Sequence, residues 1–475
     1  MSRTPVRSSA LVAAPVEAAA VDGLRARFHG QVLVPGDQPF DDVRRVWNRM
    51  VDRQPALIAR CTGVADVRTA LGFAMAEGLD VTVRCGGHSI VGHGVADGAV
   101  LIDLAPMRGV RLDPDARRVW VQGGARLRDL DRETLPFGLG VPVGVVGDTG
   151  VGGLALGGGY GFATRRYGLT CDNLVGAEVV TADGELLVVD EERDPQLLWG
   201  LRGGSGNFGV VVGMTFRTHP LGPISYGDHL YPVEAGIPPM RALLDLLRDG
   251  PDEVTASAVV GPAPAADWVP AEWRGRPTVM VSWVFHGPID GGRVLCAPLA
   301  EAGRPVASSE AETTYAALQA FSDVVPGEVG RRYWKGALAS HLPDEALETI
   351  LSRGAGPGEP PPSCAVEVFG LGGQFARERD SAFGHRDSIC DVLVISGWTD
   401  PSDDDHRLAE ARALAARVAQ YTDGAYVNSL EDEAEGAVRA AYGAEAHDRL
   451  TALKDRYDPT NVFHHNQNVR PSTGG

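Results

Sequence analysis

The sequence predicts an α+β fold with more than one domain. Three observations lead there. Apolar residues recur at helical spacing in some segments and at strand-like spacing in others. Glycines, 60 of them, punctuate those segments as turns. The stretch His219-Pro220-Leu221-Gly222-Pro223 reads as a boundary between domains. With 475 residues, 44% of them hydrophobic, the chain can bury a large core.

The elements follow in order. Residues 41–52 put Val43, Val46, Trp47, Met50 and Val51 on one helical face. Residues 64–77 do the same with Val67, Leu71 and Ala74, and Gly78 is placed to cap them. A strand over 81–84 runs into the turn Gly86-Gly87-His88. Residues 100–103 and 118–121 are strand-like. A hairpin follows, with strands 177–181 and 186–189 about an Asp183-Gly184 turn. A strand over 210–216 completes this part. Beyond the boundary, strand-like runs at 278–285 and 392–398 alternate with helical ones at 241–247 and 408–418. A Pro/Gly-rich loop spans 354–362. Ala446, Leu450, Leu453 and Tyr457 share a final helical face that should stop at Asp458-Pro459. No repeat of solenoid period is present.

Composition narrows the function. The 44 basic and 62 acidic residues leave a formal net charge of −18, which argues against nucleic acid or an anionic membrane as the main partner. The six cysteines are scattered singly, so zinc-site and redox-pair spacings fail. They read as buried small hydrophobes in a reducing, cytoplasmic setting. Residues 1–20 read as a frayed leader, because Pro15 and Glu17 interrupt its apolar run. No segment is long and apolar enough to be a transmembrane candidate. The pair His464-His465 has no Cys or carboxylate at ligand spacing, and no metal site is expected.

The densest glycine cluster runs from Gly150 to Gly161. Such turns can bring backbone N–H groups close to a pyrophosphate. A P-loop is excluded, since no Lys-Ser/Thr follows the glycines. The Rossmann spacing is wrong, and no short βαβ unit with a downstream ribose acid is evident. Each cluster alone reads more readily as a set of tight turns in a glycine-rich α+β fold than as a binding site.

Taken in order, five stretches form a pattern: Arg84-Cys85-Gly86-Gly87-His88-Ser89, the 150–161 run, Tyr167 to Leu174, Leu198 to Val211, and Tyr457 to Asn468. This resembles the berberine-bridge-enzyme-like family of FAD-linked oxidases, within the vanillyl-alcohol-oxidase-type superfamily. The resemblance covers residues 25–220 and 420–470 well and the middle more loosely. It implies a bipartite FAD-binding domain from 21–220 and 421–475. A substrate domain over 221–420, an antiparallel sheet backed by helices, would be inserted between them.

The resemblance also implies roles. His88 would carry FAD on a single covalent histidyl link, with Arg84, Cys85, Gly86, Gly87 and Ser89 around it. Many relatives add a cysteinyl tether at the position of Val146, which cannot form one. Thr149, Gly150, Gly153, Gly159 and Gly161 would line the cofactor. Gly209 and Val210 would contact its adenine half or ring, and Asn466 and Asn468 would close over the flavin. His93 reads equally as a supporting or a packing group. In several relatives a Tyr-x-Asn-Tyr stretch on a strand supplies the base in its second tyrosine. Here the stretch is Tyr426-Val427-Asn428-Ser429, which leaves Tyr426 or Tyr442 as the candidate catalytic base, with the alternative that both tyrosines pack and the base lies elsewhere in the inserted domain. The implied reaction moves hydride from an alcohol, sugar or natural product to FAD, with O2 as acceptor and H2O2 as product. A dehydrogenase with another acceptor, an oxidative cyclase, and a flavin-binding protein without turnover all remain open.

Overall fold

The structure, a computed structural model, describes residues 16–321, 330–353, 363–431 and 435–472. Residues 1–15 of the expected leader and the expected loop 354–362 lie outside them. The leader's last three residues instead open the helix Ala18–Arg25, which buries Val21 and Leu24.

Four strands form the first sheet: β1 (Gln31–Leu33), β2 (Leu57–Arg60), β3 (Val81–Arg84) and β4 (Val100–Asp103). Their order is β1-β2-β4-β3, with β4 parallel to both neighbours. All four β4 residues are buried, as a central parallel strand requires. The helix Val64–Glu77 links β2 to β3, so a βαβ unit is present after all. The glycine turn, however, follows β3 instead of opening that helix, so the unit lacks the Rossmann phosphate turn.

The second sheet is antiparallel. It contains β5 (Val110–Asp113), β6 (Arg118–Gln122), β8 (Leu174–Val180), β9 (Leu186–Asp190) and β10 (Val210–Arg217), in the order β5-β6-β10-β8-β9. A short ribbon pairs β7 (Leu139–Gly140) with β11 (His219–Pro220).

The third sheet has seven antiparallel strands: β12 (Ile224–Pro232), β13 (Val254–Pro262), β14 (Pro277–Phe285), β15 (Ala307–Thr313), β16 (Arg331–Ala339), β17 (Ala365–Gly370) and β18 (Cys390–Trp398). Their order is β15-β12-β14-β13-β17-β18-β16. Along β18 the side chains alternate between two cores. Cys390, Val392 and Val394 join the core shared with the helices Ile237–Asp249, Asp344–Ser352 and Asp404–Val418. Leu393 and Ile395 face the other core, which runs through the second sheet and the C-terminal helices. Asp391 has the parity of Leu393, which decides where its carboxylate goes.

Two expected elements differ. The helix expected over 41–52 is only Phe40–Arg44. Asn48 Nδ2 donates to Ile90 O at 2.7 Å and to Arg332 O at 2.9 Å, and Trp47 N–H donates to Gly87 O at 3.0 Å. These tertiary bonds take the place of helix bonds. Tyr426 lies on no strand; it precedes a short 3-10 turn, Val427–Ser429.

The helix Ala444–Tyr457 ends where Asp458-Pro459 requires and packs on the helix Pro195–Leu201. Beneath its end, Lys454 and Asp458 form a buried ion pair at 2.7 Å. Lys454 Nζ also donates to Asn207 O and Phe463 O, both at 2.9 Å, which uses all three ammonium donors. Asp458 accepts from the N–H groups of Val462 and Phe463 at 2.7 and 2.9 Å. Among the described residues, no helix is long and apolar enough to cross a membrane.

Candidate active site

The site grows from the turn after β3. Arg84 itself points inward: its guanidinium meets Asp103 at 3.0 Å and the carbonyls of Val43 and Arg45. It therefore anchors the turn from behind. Gly86 lies against Gly150, and a Cβ on either would collide with the other's backbone. This close approach joins the histidine turn to the glycine run. Cys85 beside it carries a thiol that burial pushes up to about 11, so it is no ready nucleophile.

His88 lies between three partners. Its ring stacks on Trp47 at 5.2 Å, its Nδ1 is 3.4 Å from Thr149 Oγ1, and its Nε2 is 3.6 Å from Asp148 Oδ2. At that distance Nε2 has no hydrogen bond, and it is buried. Burial works against the Asp148 charge, but His88, Arg126 and Arg128 outweigh it and hold the carboxyl below its ordinary range. Ser89 Oγ accepts the N–H of His93 at 3.2 Å.

The glycine run continues as the short helix Val151–Gly157, on which Gly153 is exposed. Asn428 lies over it, with Nδ2 3.4 Å from the carbonyls of Gly153 and Leu154. The same Nδ2 donates to Tyr426 Oη at 2.8 Å, so these two side chains meet without the expected strand. Gly159 N–H donates to Tyr426 Oη at 2.9 Å, and Gly161 N–H to Thr164 Oγ1 at 2.8 Å. Those two amides are thereby occupied within the protein.

Next to Tyr426 stands a group that the sequence did not single out. Tyr160, half-buried, has its ring 5.2 Å from that of Tyr426. Its hydroxyl donates to Asp391 Oδ2 at 2.6 Å. Asp391 is fully buried, and burial pushes its carboxyl up to about 6 against the pull of that hydrogen bond. Glu367 belongs to β17, where the neighbouring Phe369 pairs with Asp391. Burial and then the Asp391 charge raise Glu367 to about 7. Burial also raises Tyr160 and Tyr426 above the ordinary tyrosine value. Tyr442 occupies the same apolar core, but its buried hydroxyl finds no polar partner among the described residues.

The tail closes the arrangement. Gln467 Nε2 lies 3.3 Å from both His93 Nε2 and Leu430 O. It thus bridges the histidine turn to the Tyr426 segment. Asn466 Nδ2 donates to Gly206 O at 3.0 Å. The side-chain oxygens of Asn466 and Asn468 are buried without partners. Gly209 and Val210 are both buried, and Val210 pairs with Val180 in the second sheet. His464 and His465, which have no acidic neighbour in sequence, both face Asp80 across the fold.

Buried polar atoms left unpaired in a protein call for a partner. Here His88 Nε2, Asn466 Oδ1 and Asn468 Oδ1 are such atoms, on two motifs that Gln467 ties together. The site therefore fits a large polar cofactor.

Comparison with known proteins agrees. Residues 55–190 match the model of the FAD binding domain, and residues 425–470 that of the berberine and berberine-like family. An FAD-linked oxidoreductase of Dictyostelium discoideum is 30% identical, over 94% of this chain and 95% of its own. The (R)-6-hydroxynicotine oxidase of Paenarthrobacter nicotinovorans is 31% identical, over 94% of this chain and 97% of its own. The crystal structure of 6-hydroxy-D-nicotine oxidase from Arthrobacter nicotinovorans superposes with a TM-score of 0.82 at 29% identity, covering 94% of this chain and 98% of that one. The chain belongs to the berberine-bridge-enzyme-like family of FAD-linked oxidoreductases, with the bipartite α+β fold of that family.

Proposed function

We propose that this oxidoreductase is an oxidase that carries FAD on one covalent link to His88 and oxidises a small alcohol, sugar or amine. Bound FAD would accept hydride from the substrate carbon and return the electrons to O2, giving H2O2. Residues 21–220 and 421–475 would hold the cofactor, and residues 221–420 would supply the substrate side. The observation that carries this reading is the buried His88 Nε2, which makes no hydrogen bond, on a ring beside Thr149 and the glycine run. Val146, half-buried in the preceding loop, offers no second attachment.

The substrate's O–H or N–H proton must leave as hydride does. Tyr160 keeps part of its surface exposed, whereas Asp391 is fully buried behind it. The proton would pass to Tyr160 Oη while the Tyr160 proton moves to Asp391 Oδ2. A carboxyl near 6 is ionised at pH 7 yet still basic enough to accept it. Tyr426 holds Gly159 and Asn428 in place and is a positioning residue. Tyr442 has no part in this relay.

Acid denaturation tests the tether. Flavin should precipitate with the wild-type chain and remain in solution from His88→Ala; free flavin from the wild type would overturn the link. Anaerobic flavin reduction by a sugar, alcohol and amine panel, followed by peroxide assay in air, tests the reaction. Reduction without peroxide would identify a dehydrogenase.

A further inference from the structure

The two adjacent histidines of the tail have no acidic residue at ligand spacing in the sequence. The fold supplies one from 385 positions away. Asp80 lies between the helix Val64–Glu77 and β3. Its Oδ2 is 3.2 Å from His465 Nε2 and 3.6 Å from His464 Nε2. One ligand atom from each of the three residues lies within 4.8 Å of the other two.

These separations have a chemical meaning. Zn2+ holds imidazole nitrogens and carboxylate oxygens at about 2.0–2.1 Å in tetrahedral array, which sets neighbouring ligand atoms about 3.3 Å apart. The two measured edges bracket that value. A hydrogen bond explains only the shorter one; the longer is beyond hydrogen-bond reach, yet it converges on the same oxygen. His464 is also fixed in the tautomer that a metal needs. Its Nδ1 lies 2.9 Å from the carbonyl of Asn461, which can only accept, so Nδ1 carries the proton and Nε2 presents a lone pair. Metal-bound histidines are oriented by such a bond from the other ring nitrogen. The side chain of Asp80 is 60% exposed, leaving room for water at a fourth position. Arg53 is the nearby charge that opposes a cation; its guanidinium is held by the carbonyls of Gly92 and Val95 at 3.2 and 3.0 Å.

We propose that Asp80, His464 and His465 form a binding site for a divalent transition-metal ion of the Zn2+ class. The ion would clasp the tail to the loop that enters β3. That loop leads to His88, and the tail leads directly to Asn466, Gln467 and Asn468. The site is separate from the relay of Tyr160 and Asp391, so its test needs no substrate.

Metal-stripped holoprotein is titrated calorimetrically with ZnCl2. The wild type should bind one zinc per chain. Asp80→Asn should bind it at least about tenfold more weakly, and the His464→Ala/His465→Ala double variant should lose it. Zinc should raise the melting temperature of the wild type and leave that of the double variant unchanged. Unchanged flavin absorbance and circular dichroism in the variants establish that they fold. No saturable zinc binding by the wild type, or equal binding by the wild type and the double variant, overturns the proposal.

Discussion

Replacing Asp391 by asparagine should slow catalysis and stabilise the protein, with both effects governed by pH. The carboxyl titrates at about 6 in the fold, against a reference value of 3.8. That shift of about two units corresponds to about 3 kcal/mol of penalty on the charged form. The sign follows from linkage. Below about pH 4 the carboxyl is protonated in both folded and unfolded chains, and the substitution is nearly neutral. Between about 4 and 6 the unfolded chain releases a proton that the folded chain keeps, so wild-type stability falls as pH rises. Above 6 the whole penalty is present, and Asp391→Asn should be more stable by up to about 3 kcal/mol. Its amide oxygen can still accept from Tyr160. Without a proton acceptor, flavin reduction should slow by about 10²–10⁴-fold. In the wild type, reduction should rise with pH through about 6; in the variant that inflection should vanish. The assays are stopped-flow flavin reduction and urea unfolding, each at pH 5 and pH 8. A variant that reduces flavin within about threefold of wild type refutes the relay. A variant equally destabilised at both pH values refutes the assignment of a strained charge.

Three further substitutions test the surroundings. Tyr442→Phe removes a buried hydroxyl with no partner, so it should leave flavin reduction unchanged and raise stability by about 1 kcal/mol in urea. Lys454→Met leaves Asp458 charged in a buried site and strips two carbonyls of their donor; it should destabilise by about 3–5 kcal/mol and speed hydrogen exchange at Val462 and Phe463. Gly159→Ala forces a side chain onto a backbone with φ of 80° and into Thr170, so its melting temperature should fall with a loss of about 2 kcal/mol or more.

The regular elements were legible because their patterns are local. The helix Val64–Glu77 and the strands Val81–Arg84 and Val100–Asp103 have the ends that the sequence suggests. Trp47 and Asn48 were misread because helical periodicity carries no information about Ile90, Arg332 or His88, to which they turn. The cofactor motifs were readable as an ordered set of glycines, one histidine and a tail. The local partners of each were not: the guanidinium of Arg84 meets Asp103, and Val210 pairs with Val180. Asp391 was missed because its role depends on strand parity and on Tyr160, 231 residues away. The one local hint was a charge inside the apolar run Cys390 to Ile395.

The buried Lys454–Asp458 pair has a consequence for biosynthesis. A ribosome that has made β1 through β10 has already produced His88, the glycine run and Asn207. Asn207 is still unlatched: its carbonyl awaits Lys454, and its side chain awaits Gln467 and Val469. The three bonds that fix Asn207 can therefore form only after residues 454–469 have left the exit tunnel, so this part of the first domain is completed last.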